Sequence, residues 1–326
     1  MNSWVRSGPV VVEVDGTAEG MRVVDYACVE ALRTDAGLVL AASYRAHSTF
    51  SPMRPDDQPK SPGDIADAWL RAAVAHVHHR YGYGLQLEAV SKEGARARVL
   101  AEIARHARVL IVGRTPKRGP QRLMAAHANL GLAARVGCPV LVVPLSWRPS
   151  VLDRKVAVGV DGSALSAEAV EFAFRTAADR EGDLIVVRAG LPPDHAWNDD
   201  DVEDSWISRA DHAIGEAIAG WTGQFPDVKV TRFLSSRPAA EALVRESEQV
   251  GLVVVGVHDH SVAVSDPVAR RCVAAMVCPV AIVPHHLTAA ERELLDRVGR
   301  DHVFFTLPTA VQAFQDRTAT TTEARS

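Results

Sequence analysis

Val10-Val-Val-Glu-Val-Asp-Gly-Thr17 and Val156-Ala-Val-Gly-Val-Asp-Gly-Ser163 are one phrase written twice, 146 residues apart. Each is an apolar, valine-rich run closed by Asp-Gly and a hydroxyl residue. That pattern reads as a buried strand entering a turn. Two later phrases also recur. Val109-Leu-Ile-Val-Gly113 answers Leu252-Val-Val-Val-Gly256 at an offset of 143, and Cys138-Pro-Val-Leu-Val-Val-Pro144 answers Cys278-Pro-Val-Ala-Ile-Val-Pro284 at 140. The offset drifts slowly, as loop-length changes would make it do. A period of this length belongs to duplicated domains, since solenoid repeats are far shorter.

Working outward, each half alternates short apolar runs with longer helical patterns. In the first half the spacing predicts strands near 9–14, 37–43, 84–90, 108–113 and 139–143, and helices near 19–34, 64–81, 93–105 and 120–136. In the second, strands fall near 155–160, 183–189, 227–234, 251–257 and 279–283, and helices near 165–179, 202–223, 238–248 and 266–276. Val24, Ala27, Cys28, Ala31 and Leu32 share one face of the first helix, as Val170, Ala173, Phe174, Ala177 and Ala178 do in its counterpart. Continuous apolar strands separated by helices mean a parallel sheet covered on both faces. The expected fold is therefore α/β: two tandem doubly wound five-stranded domains. The domains are placed at 1–145 and 155–286 with a linker at 146–154. A C-terminal helical extension at 287–326 follows, its last ten residues polar and expected to be disordered.

Composition agrees with this reading. The 326 residues suit two domains, and 47% hydrophobic residues are too many for a disordered chain. No apolar run approaches the roughly 18 residues of a membrane span. Thirty-six Lys and Arg against 40 Asp and Glu offer no electrostatic case for nucleic acid. The four cysteines have no CxxC spacing, and the start of the chain lacks a basic segment followed by an apolar one. The expected compartment is the cytoplasm, with reduced thiols.

Val158-Gly-Val-Asp-Gly-Ser163, together with Cys-Pro-Val and its apolar run at 138–144 and 278–284, resembles the universal stress protein family. The resemblance covers residues 9–284 as two copies. It implies strand order 3-2-1-4-5 and pairing of domains through their last strands. The two halves of one chain could satisfy that pairing as a pseudo-dimer, and homo-oligomers could form as well. Many members bind ATP. The resemblance would put adenine near Asp15 or Asp161, and the phosphates over a glycine-rich turn after the fourth strand. Glycines there let backbone N–H groups approach a phosphate, and the next helix N-terminus adds its dipole.

Both halves depart from that turn. In the first, Gly113 is followed by Pro116 where the second glycine belongs, and Ala126-His127 replaces the later Gly-Ser. Prolines remove donors from a cradle built of donors. In the second, the loop after Gly256 is three residues shorter and has no glycine from Val257 to Cys278. Glu13 stands where the second half has Gly159. Its carboxylate beside that of Asp15 is expected to repel an anionic ligand. Nucleotide binding, if present, would use Asp161, Gly162, Ser163 and Gly256. In the first half the candidates are Asp15, Gly113 and the basic Arg114 and Arg118, which with Lys117 and Arg122 could hold a phosphate as point charges or simply be a solvated loop.

Other candidates are weaker. His258 and His260, with Asp259, His285 and His286, could meet at a metal, but no spaced motif such as HExxH supports it and an exposed loop explains them. His76, His78 and His79 suit the last turn of a helix, where cations answer the dipole. Cys272 and Cys278 read as core residues. The long loops at Arg45–Gly63 and Asp194–Asp204 follow the second strand of each half. They read as solvated surface, the acids near 199–204 capping the next helix. No catalytic constellation is present: GxSxG, GxxxxGK[ST] and GxGxxG are all missing. The sequence thus suggests a cytoplasmic stress-response protein that acts by binding an unidentified protein partner, without catalysis, membrane or nucleic acid, and with no cofactor expected. The alternatives are an ATP-binding sensor or slow ATPase using the second half, and a small-anion or metal binder.

Overall fold

The computed structural model describes residues 8–46, 61–114, 120–161, 166–190, 200–257 and 266–284, with side chains at 120–123, 200–207, 209 and 213 left out. The chain divides into two compact units, one of Val5–Pro149 and one holding Ser150–Ser326.

In the first unit the order is β1 (Val10–Glu13), α1 (Met21–Arg33), β2 (Leu38–Tyr44), α2 (Pro62–Tyr81), β3 (Leu87–Glu93), α3 (Arg96–Ile103), β4 (Val109–Arg114), α4 (Pro120–Ala133) and β5 (Val140–Pro144). The strands lie parallel in the order β3-β2-β1-β4-β5. Helices α1 and α2 pack together, as do α3 and α4. The second unit repeats this with β6 (Val156–Val160), α5 (Ala167–Asp179), β7 (Leu184–Ala189), α6 (Asp200–Gln224), β8 (Val230–Ser235), α7 (Ala239–Glu246), β9 (Leu252–Val257), α8 (Pro267–Ala275) and β10 (Val280–Pro284). Its order is β8-β7-β6-β9-β10, again parallel. This is the doubly wound α/β fold expected twice over, with the implied strand order.

Local chemistry starts and stops these elements. Ser61 and Asp64 form a reciprocal capping box at α2, with Pro62 in the first turn. Asp266 accepts from the N–H groups of Val268 and Ala269 at α8, and Pro267 follows it. Helices α1 and α5 leave through the same left-handed turn. Asp35 and Glu181 both have φ of 47°, and the next N–H reaches back to Ala31 O and Ala177 O at 2.9 Å. The repeat is therefore visible in backbone angles as well as letters.

The cores are mostly aliphatic. Leu40, Leu110, Ile111, Leu130 and Leu132 are fully buried in the first unit. Phe174, Leu184, Ile214, Leu252 and Met276 are fully buried in the second, where Phe174, Trp221 and Phe225 stack at centroid distances of 6.0–6.5 Å. Among the described residues no helix is long and apolar enough to cross a membrane.

Some expectations need correction. Leu32 is 52% exposed, so the buried face of α1 is carried by Val23, Val24, Tyr26, Ala27, Cys28 and Ala31. β3 begins three residues later than predicted, because Gly82 and Gly84 hold the chain in a turn first. α6 already begins at Asp200, so the acidic stretch from there to Asp204 is helical rather than loop. The extension at 287–326 lies outside the described residues.

Candidate functional site

Open α/β sheets take ligands at the carboxyl ends of their strands. In the first unit that end is built from Asp15 and Gly16, which follow β1. Asp15 Oδ1 accepts from the Thr17 N–H at 2.9 Å and from its hydroxyl at 2.7 Å. The Thr17 hydroxyl oxygen in turn accepts from the Gly20 N–H at 2.9 Å, which satisfies an orphan donor at the start of α1. Gly16 has φ of +75°, and a Cβ there would run into the Trp69 indole of α2. The turn is thus locked by its own side chains, and Asp15 is already bonded.

Glu13 is the surprise. Its carboxylate takes Arg96, the first residue of α3, in a two-point pair. Nε lies 2.5 Å from Oε1 and Nη2 lies 2.6 Å from Oε2. Nη2 also donates to Oδ1 of Asn129 on α4 at 3.3 Å, and Asn129 is only 4% exposed. Burial works against the Arg96 charge, yet the bonds and charge of Glu13, with Asp15 adding, hold its pKa above the ordinary value. The expectation that Glu13 and Asp15 together repel an anionic ligand therefore needs correction: the charge of Glu13 is paired with a guanidinium. Sequence reading missed Arg96 and Asn129, which lie 83 and 116 residues away in the chain.

Gly113 is explained by packing. A Cβ on it would stand 3.0 Å from Leu145 and 3.4 Å from Val23. Arg114 ends β4 opposite Pro144 and is half-exposed. Arg118 lies outside the described residues.

In the second unit Asp161 follows β6, and its Oδ1 accepts from the Ser166 hydroxyl at 2.8 Å. Gly162 and Ser163 are outside the described residues. Gly159 leaves room for Leu243 of α7, whose Cδ1 would lie 2.9 Å from an added Cβ. Gly256 pairs with Val283 in the ladder. A further basic residue sits at the same end. Arg188 of β7 pairs in register with Val160, the neighbour of Asp161. Its Nη1 is buried and has no hydrogen-bond partner among the described residues. Burial lowers the guanidinium pKa, while the Asp161 charge opposes that fall. Arg188 corresponds to Ala42 in the first unit, so comparing the two halves letter by letter would have singled it out.

Elsewhere, His76 is placed differently from expectation. Its Nε2 lies 2.8 Å from Oδ1 of Asp25, which also accepts from Tyr81 OH at 3.1 Å and lies 3.5 Å from Arg80 Nε. His76 thus ties α2 to α1, one turn before the helix end, while His78 stacks on Tyr83 at 4.4 Å. Cys272 and Cys278 are buried core residues, as expected. His258 and His260 lie outside the described residues.

The model of the universal stress protein family matches residues 7–144 and 154–284. The universal stress protein Rv2623 of Mycobacterium tuberculosis is 34% identical over 167 residues, covering 48% of this chain and 54% of that protein. The chain thus spans about half the length of that curated relative. A universal stress protein of Mycolicibacterium smegmatis is 27% identical over 263 residues, covering 76% and 86%. Protein PA1789 of Pseudomonas aeruginosa shares the fold with a TM-score of 0.60 at 16% identity, covering 90% of this chain and 98% of that one. With the family pattern matched once in each half, and the strands of each unit in the order 3-2-1-4-5, the chain belongs to the universal stress protein family as a tandem of two such domains.

Proposed function

We propose that this chain is a cytoplasmic stress-response protein that acts by binding a protein partner and not by catalysis, without family-style ATP binding. The observation that carries this reading is the internal use of the polar groups at the strand ends. Asp15 is spent on Thr17, Asp161 on Ser166 and Glu13 on Arg96, and Gly113 sits under Leu145. The glycines that would bring backbone donors to phosphates are replaced in both halves.

The test is thermal unfolding of the untagged protein with and without Mg-ATP, with inorganic phosphate as control. A ligand at 100 times its dissociation constant adds about 2.7 kcal/mol of stability. The expected result is no shift and no ATP turnover. A shift specific to ATP overturns the reading.

One observation favours a second reading, a nucleotide sensor or slow ATPase using the second unit. Arg188 holds a buried donor without a partner among the described residues, beside Asp161. An unmet guanidinium N–H at a strand end is what an anionic ligand would use. In that case Arg188→Ala abolishes any ATP-dependent shift and Ala42→Arg does not create one.

A further inference from the structure

We propose that in the first unit the Glu13 carboxylate is a resident anion: it fills, from within the chain, the place at the strand ends where a phosphate-bearing ligand would meet Arg96, and so closes this unit to nucleotides. The inference rests on no assumption about what the second unit binds.

Three elements converge on this pair. Glu13 is the last residue of β1, Arg96 opens α3 and Asn129 lies within α4. The guanidinium gives two parallel bonds to the carboxylate and a third to the buried amide. A guanidinium matches carboxylate and phosphate in the same two-point way, so either oxyanion can satisfy it but not both at once. The second unit has none of the three. Gly159, Ala239 and Ala269 stand at the corresponding positions. The set is present as a whole in one half and missing as a whole in the other, which suits a unit of function better than scattered surface changes do. Removing one partner of such a pair would strand the other, so the three side chains act as one group.

The closing experiment is peptide-resolved hydrogen exchange on the full-length protein, alone, with Mg-ATP and with inorganic phosphate. In the wild type neither ligand is expected to slow exchange at the end of β1 or in the first turn of α3. Protection of those segments by either one overturns the proposal, and this arm needs no variant. The second arm uses Glu13→Gln, which keeps the shape but removes the countercharge and one of the two acceptors from Arg96. Millimolar phosphate is then expected to slow exchange several-fold in the first turn of α3, and Arg96→Ala in that background is expected to remove the effect. A folded Glu13→Gln protein that ignores phosphate also overturns the proposal. ATP protection confined to the second unit would sink the nucleotide-free reading above and leave this inference standing.

Discussion

At the residue scale, burial governs two thiols and a phenol. Cys28 and Cys272 are both pushed up to about 12, chiefly by burial, with Asp25 adding at the first and Asp266 at the second. A thiolate is the reactive form, so neither thiol is expected to react with a disulfide reagent at neutral pH until the protein is unfolded. Kinetic counting of thiols before and after denaturant checks this. Tyr81 is likewise raised to about 12, by burial and then by the Asp25 charge. A tyrosine ionises near 10 when unfolded. Its raised folded value means a stabilising contribution that is complete below pH 10 and lost as pH climbs through about 12. Comparing tyrosinate absorbance in the wild type and Tyr81→Phe should show one group titrating near 12. A group titrating near 10 would mean that the contact with Asp25 is open in solution.

At the element scale, the strongest local rules carried the reading and the weaker ones slipped. Central strands such as Val109–Arg114, apolar up to its closing arginine, and Leu252–Val257 lie within a residue of their predicted bounds. The edge strands β3 and β8 alternate poorly and bury little, and each begins three residues later than the spacing predicts. Periodicity cannot locate a strand that buries little. The turn after α1 was invisible because Asp35 is an ordinary residue in a left-handed conformation. That conformation costs a side chain about 1–2 kcal/mol, and glycine gives back part of the gain through its unfolded-state entropy. Asp35→Gly is therefore expected to stabilise the protein by about 0.5–1 kcal/mol, read from the denaturant midpoint. A loss of stability would show that the Asp35 side chain has a role that its backbone angle hides.

At the scale of the whole molecule, duplication made the fold legible. Three short phrases at offsets of 146, 143 and 140 were enough to predict two parallel sheets. The candidate site was legible only in part. Asp15 and Asp161 could be found because the repeated Asp-Gly phrase that follows the first strand of each half carries the family resemblance. Arg96 and Asn129 could not, since their meaning depends on partners that the fold brings near from distant segments, whereas Arg188 stood out only against Ala42 in the other half. The overall charge makes its own prediction. With a formal net charge of -4 the protein is not expected to retard random duplex DNA at physiological salt. Retardation that weakens steeply with added salt would point to a basic surface that the total conceals.

The short 3-10 turn at Val151–Arg154 has a practical side. Ser150 and Asp153 cap it, and Gly182 and Gly251 lie so close beneath it that a Cβ on either would strike its backbone. Val151 is 88% exposed, yet the peptide around it is clamped. A protease needs several residues of slack chain, and an inserted tag needs somewhere to leave and return. Although solvent touches this turn, it should resist nicking and reject insertions, whereas cuts or grafts placed just before Ser150 should be borne.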